Sequence, residues 1–204
     1  MPNQKGFTPA LIIILIAVLG IGGYFVYSNS RTKTASSVNQ TNPTPKPTES
    51  VSFADTTNWK RYTSSNLGFS IKYPAEVTLE EKDNLVLVSF WGPTQKANTE
   101  FYDGINLSFT SGSLKDKTLK EFADSGVEQT KLNGGVIVKP LLPFVLNGIS
   151  GYAYQGGSQG RFTRIYLTSG RNQYFMISDG TVDPTEKGFQ KITDQILSTF
   201  KFTQ

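Results

Sequence analysis

The longest apolar stretch of the chain lies near its start. Ala10 to Tyr27 reads ALIIILIAVLGIGGYFVY, 18 residues without a strongly polar side chain, and no charge falls between Lys5 and Arg31. A helix over residues 7–27 would be about 31 Å long at about 1.5 Å per residue, enough to cross a hydrocarbon core of about 30 Å. The run is too long for the apolar part of a cleaved secretory signal, and no small-residue cleavage site follows Tyr27. A helix apolar on every side also has no face to show to water. The pattern therefore predicts a tail over residues 1–6 and one transmembrane helix over residues 7–27, in contact with the lipid bilayer.

Residues 28–57 change character. Twenty of these 30 are Ser, Thr, Asn, Gln or Pro, with TNPTPKPTES at the centre. Such a stretch cannot bury enough apolar surface to offset chain entropy, so it reads as a disordered linker spanning about 30 Å root-mean-square.

From residue 58 onward the pattern is that of short strands with two helices. Phe69, Ile71 and Tyr73 alternate with Ser70 and Lys72, a half-buried strand ending at Pro74. Residues 76–81 predict a short strand. Leu85 to Trp91 is apolar on both faces except Ser89, which predicts a central strand. Ile105, Leu107 and Phe109 mark another. Four more are expected over residues 135–142, 149–155, 162–168 and 173–178, the last two joined by a tight hairpin at residues 169–172. Thr118 and Glu121 have capping-box spacing, which opens a helix carrying Leu119 and Phe122 on one face, with Gly126 as its C-terminal stop. Asp183, Pro184 and Glu186 predict the start of a closing helix, with Phe189, Ile192, Ile196 and Leu197 inward and Lys187, Lys191 and Asp194 outward. Phe200 and Phe202 then pin the tail. Strands, helix, strands, helix is the order of an α+β fold: a central antiparallel sheet with helices packed on it, over residues 58–204.

Composition narrows the chemistry. The chain has no Cys and no His, which excludes disulfides, thiolate nucleophiles, Cys or His zinc sites and any His-dependent triad. Its net charge of +4 is shared out: residues 1–57 carry four basic and two acidic residues, residues 58–204 carry 16 and 14. Charge so balanced and interspersed argues against a nucleic-acid partner. Glu80, Glu81 and Asp83, and Asp179 with Asp183, lie close in sequence but lack calcium-loop spacing and read as solvated turns. Ser198 and Lys201 match Ser-x-x-Lys by letter at what reads as a helix end. Gly156 to Gly160 lacks the Lys of a phosphate loop and reads as a strand connection. No residue is expected to be catalytic, to bind a cofactor or to hold a metal, so the chain reads as no enzyme. Carboxylate catalysis would need two acids converging in a cleft with apolar walls. Arg161, Arg164 and Arg171 stand among Tyr152, Tyr154, Tyr166 and Tyr174. Arginine interleaved with aromatics is typical of protein interfaces, so Arg161, Arg164, Tyr166 and Arg171 form the candidate interface.

Two resemblances add to this reading. Lys5-Gly6-Phe7-Thr8 resembles the leader of type IV prepilins, which implies cleavage after Gly6 and a mature chain beginning at Phe7; the fifth mature position, Glu in pilins, is Leu11 here. Tyr62-Thr63 with Leu67-Gly68-Phe69-Ser70-Ile71-Lys72-Tyr73-Pro74, and Ile196 to Phe202 at the other end, resemble the opening and closing segments of PsbP-like domains. That resemblance implies an α/β/α sandwich around an antiparallel sheet, and an accessory or assembly role for an envelope or lumenal protein. Without His, the cation sites of photosynthetic members are not implied. Short tail, one span, spacer and domain together predict a single-pass membrane protein with its domain outside the cytoplasm, acting on a protein partner in the envelope. Lys5 on one flank and Arg31 and Lys33 on the other leave the charge rule nearly tied.

Overall fold

The structure is a computed structural model describing residues 56–203 except 159 and 171. The expected transmembrane helix, the Gly6–Phe7 junction, residues 28–55 of the linker and Arg171 lie outside the described residues. Among the described residues no helix is long and apolar enough to cross a membrane.

Two antiparallel sheets form instead of one. The small sheet has the order β1 (Lys60–Ser64), β2 (Phe69–Tyr73), β10 (Lys201–Phe202). In the turn between its first two strands, Ser64 Oγ accepts from the Leu67 amide at 3.0 Å. The large sheet has seven strands. From β3 (Thr78–Lys82) it runs through β4 (Leu85–Trp91), β5 (Gly104–Ser113), β9 (Gln173–Asp179), β8 (Arg161–Gly170) and β7 (Ile149–Gly157) to β6 (Val136–Leu146). Each long strand alternates, so the sheet sends Val86, Val88, Leu107, Phe109, Ile165, Leu167, Phe175 and Ile177 to one face. On that face lie the small sheet and α2 (Phe189–Ser198), and between them is the main core. Phe69 is its centre, with its ring 4.8 Å from Phe109 and 5.6 Å from Phe200. The opposite face carries α1 (Leu119–Leu132) over β6, β7 and β8, enclosing a second core of Ala123, Tyr154 and Tyr166.

Four expectations are corrected. The helix opened by the Thr118–Glu121 capping box forms with both reciprocal bonds, yet it continues through Gly126 to Leu132. The closing helix starts at Phe189, not beside Asp183; Gly188 occupies the cap position in a left-handed conformation, and Glu186 has a positive φ of 52°. Asp183 still caps it, by folding back. Its Oδ1 accepts from Lys187 N at 2.7 Å and its Oδ2 from Gly188 N at 2.7 Å and Phe189 N at 3.0 Å. β4 is covered on one face only, because α1 sits over the other end of the sheet, and Trp91 on its outer face is 59% exposed. β6 runs past Pro143 to Leu146, since as an edge strand it loses no ladder bond to a residue without N–H.

Candidate recognition site beside Arg161

The four residues of the candidate interface do not form one surface. Tyr166 is buried, Arg164 half-buried and Arg161 exposed. The alternation of β8 separates them: Phe162, Arg164 and Tyr166 turn towards α1, while Thr163, Ile165 and Leu167 turn towards α2.

Beneath α1 most of the polar groups pair with one another, while Arg164 Nε is buried without a hydrogen-bond partner. Register sets Tyr154 opposite Arg164 and Tyr152 opposite Tyr166. The Tyr154 hydroxyl accepts from Arg164 Nη1 at 2.9 Å and lies within hydrogen-bond distance of the Gly126 carbonyl at 3.1 Å and of Thr130 Oγ1 at 2.9 Å. The Arg164 guanidinium lies 4.8 Å from the Phe162 ring centroid, a cation–π distance. Burial, with Tyr154 adding to it and Arg164 opposing, holds the Tyr166 phenol well above its ordinary range. The cluster brackets α1 to the sheet.

The other face of β7 and β8 opens into a cleft of about 510 Å³ against α2. Strand positions Gln155, Thr163 and Ile165 supply its floor. Helix positions Gln190, Asp194 and Leu197, spaced four and three apart, supply a wall. Arg161 stands at the rim, with Phe144 from β6 and Asp179 from the end of β9. Of the acids read from sequence as solvated turns, Glu81, Asp179 and Asp183 have fixed partners. Asp179, 7% exposed, accepts from the Thr181 amide and from Gln190 Nε2, each at 2.9 Å. The same Gln190 nitrogen donates to Asp194 Oδ1 at 3.3 Å. Glu81 accepts from Ser64 Oγ at 2.7 Å and from the Tyr62 hydroxyl. Among the described residues no group of three or more acids is placed to hold a metal ion. Ser198 donates to the Gln195 carbonyl at 2.7 Å, in keeping with a helix end.

Two carboxylates do line one cleft with apolar walls, but Gln190 stands between them and bonds to both. What the cleft offers is a set of oriented donors and acceptors: one guanidinium, two carboxylates, two amides and two threonine hydroxyls over an apolar base. Such a surface can recognise a polar ligand or a partner side chain by paired hydrogen bonds. Gln155, Thr163 and Gln190 escaped the sequence reading, which gives Asp194 only as an outward helix position. The signal for them was a polar residue at a core-facing step of a strand, Thr163 in line with Ile165 and Leu167.

No protein-family profile matches the chain, and no curated protein matches it by sequence. The solution structure of cyanobacterial PsbP (CyanoP) from Synechocystis sp. PCC 6803 is similar over 77% of this chain and 99% of that one, at 15% identity and a TM-score of 0.50. A Mog1 point mutant (13% identity, 72% and 97% of the two chains) and LpqN of Mycobacterium tuberculosis, a protein involved in cell envelope biogenesis (14%, 72% and 91%), give 0.46 and 0.44 and add nothing to the assignment. A mostly-sheet α+β architecture with two helices, shared with CyanoP at an identity that speaks for shape alone, makes this a PsbP-like fold.

Proposed function

We propose that the chain is a single-pass membrane protein whose PsbP-like domain, residues 58–204, stands outside the cytoplasm and binds or steadies another envelope component without catalysing a reaction. The cleft beside Arg161 carries this reading, because its groups are set for recognition: the acids are held by amides and backbone, and no nucleophile stands next to a base. The apolar run of residues 7–27 supplies the anchor, and residues 28–57 supply the reach. Affinity capture from solubilised membranes with the full chain tests it. A partner retained by the wild type and released by Arg161→Glu and by Gln190→Ala supports the cleft; equal recovery with both variants rejects it. Protease added to intact cells should remove the domain, and protection would reject the topology.

The KGFT segment at residues 5–8 supports a second reading, a pilin-like minor subunit cut after Gly6. Intact mass decides: a mature chain starting at Phe7 supports processing, and a full-length N-terminus ends that reading.

A further inference from the structure

Exposed apolar side chains gather at one edge of the domain. Leu132 at the end of α1 and Val136, Val138, Leu142 and Val145 of β6 are between 42% and 80% exposed. β6 is the outermost strand of the large sheet, and these residues flank it on both sides. Val136 and Leu142 pair with Gly157 and Ala153 on the α2 side, whereas Val145 shares the α1 side with Pro143, which pairs with Tyr152. A protein groove would cover one side of such a strand. A lipid interface can surround both.

The sequence of this region carries charge of one sign, although Asp179 and Asp194 line the cleft that Arg161 borders. From Gln129 to Ser178 the chain contains no Asp or Glu, while Lys131, Lys139, Arg161, Arg164 and Arg171 are basic. Lys131 is held by Glu128 at 2.8 Å and Arg164 by Tyr154. Lys139, in the middle of the apolar edge, and Arg161, near its Val136 end, form no ion pair among the described residues. Self-pairing of the edge is disfavoured twice. Pro140 and Pro143 lack the N–H groups that an added strand would use, and a two-fold contact would oppose like charges. Apolar side chains below and free cations at the level of phosphates are the two components of interfacial binding to anionic lipid.

We propose that the β6 edge is a docking keel: it seats on a bilayer containing anionic phospholipid, with Val136, Val138, Leu142 and Val145 in the acyl boundary and Lys139 and Arg161 on headgroup phosphates. The inference shares Arg161 with the cleft, whereas Lys139 and the apolar side chains belong to the edge alone. It uses the tethered reading only for proximity, since a linker reaching about 30 Å lets the edge return to the membrane surface.

The chain has no Cys, so Val138→Cys and Val145→Cys each give one labelling site, on opposite sides of β6, with Glu80→Cys on the far edge strand β3 as control. The labelled full chain is reconstituted into phosphatidylcholine vesicles with and without phosphatidylglycerol, and a neutral quencher reads exposure of a polarity-sensitive dye. Both β6 sites should become about fivefold less accessible with phosphatidylglycerol, the Glu80→Cys site should not change, and Lys139→Glu, which leaves the cleft intact, should restore access. Accessibility equal to that in detergent at both sites overturns the proposal. So does protection of one site alone, or protection that grows with the protein-to-lipid ratio. Flotation with pure phosphatidylcholine vesicles reads the anchor separately, so loss of the tether and loss of the keel give different results.

Discussion

A β-carbon added to Gly126 would lie 2.1 Å from the hydroxyl oxygen of Tyr166. The middle turn of α1 is therefore glycine because a phenol from β8 fills the space that a side chain would take. On intrinsic helix preference Gly126→Ala should stabilise the domain by about 1 kcal/mol. Overpacking against a buried ring costs about 1–3 kcal/mol, so the variant should lose stability on balance. In a Tyr166→Phe background the 2.1 Å contact is gone and the one to Cζ at 3.1 Å remains, so the same change should cost clearly less. Urea denaturation of the four proteins in a double-mutant cycle reads the difference. Equal losses in both backgrounds would mean that the phenol is not what excludes a side chain.

Tyr62 on β1 donates to Glu81 on β3, joining the small sheet to the edge of the large one. Burial first, and then the Glu81 hydrogen bond and charge, push the Tyr62 phenol up from 10.0 to about 12. A raised folded-state pKa favours the protonated form, so this contribution is complete below the unfolded value and is lost as pH rises through the folded one. Denaturation midpoints of the wild type should therefore fall between about pH 10 and 12, and Tyr62→Phe should flatten part of that fall. An identical slope in the variant would assign the loss to other groups.

The strands were legible where one face is wet and the other dry, as at Phe69–Tyr73 and Ile105–Phe109, because burial then forces a period of two. Leu85–Trp91 misled because its outer residues Leu85, Leu87 and Trp91 are apolar although α1 does not cover them; coverage depends on where the helix lands, which is a long-range fact. Gly126 read as a stop for the same reason, since only the fold brings Tyr166 against it. The strand expected over 135–142 runs on through Pro143 to Leu146, because the edge position of β6 is set by strand order, not by local pattern. The cleft was the least legible feature. It needs Gln190 and Asp194 of α2 to meet Gln155 and Thr163 of β7 and β8, and no local spacing encodes that meeting.

Asp183 makes a further distinction. An ordinary N-cap serves one or two amides two or three residues ahead, and Ser replaces Asp there at little cost. Here two oxygens serve three amides four to six residues ahead. Asp183→Ala should cost about 1–2 kcal/mol, and Asp183→Ser should recover almost none of it, since one hydroxyl cannot span the loop from 184 to 188. Urea midpoints compare the two; near-complete rescue by Ser would reinstate the ordinary cap.

Asn147 and Gly148 form the β6–β7 turn with φ of 50° and 84°, the two left-handed positions of a type I′ hairpin. The Asn147 side chain does more than tolerate that conformation: its amide nitrogen donates to the carbonyls of Leu197 and Phe200, each at 2.8 Å, at the C-terminal end of α2. Asn147→Gly keeps the turn and removes both bonds, for an expected loss of about 1–2 kcal/mol. Asn147→Asp also keeps the turn but sets an acceptor against two acceptors at the negative end of a helix dipole, and should lose more than Gly at neutral pH. Protonation returns a donor to the Asp side chain, so its deficit relative to the Gly variant should shrink as pH falls through the carboxylate range. Chemical denaturation of both variants between neutral and mildly acid pH checks this. An Asp variant as stable as the Gly variant at neutral pH would show that the amide does not hold the end of α2.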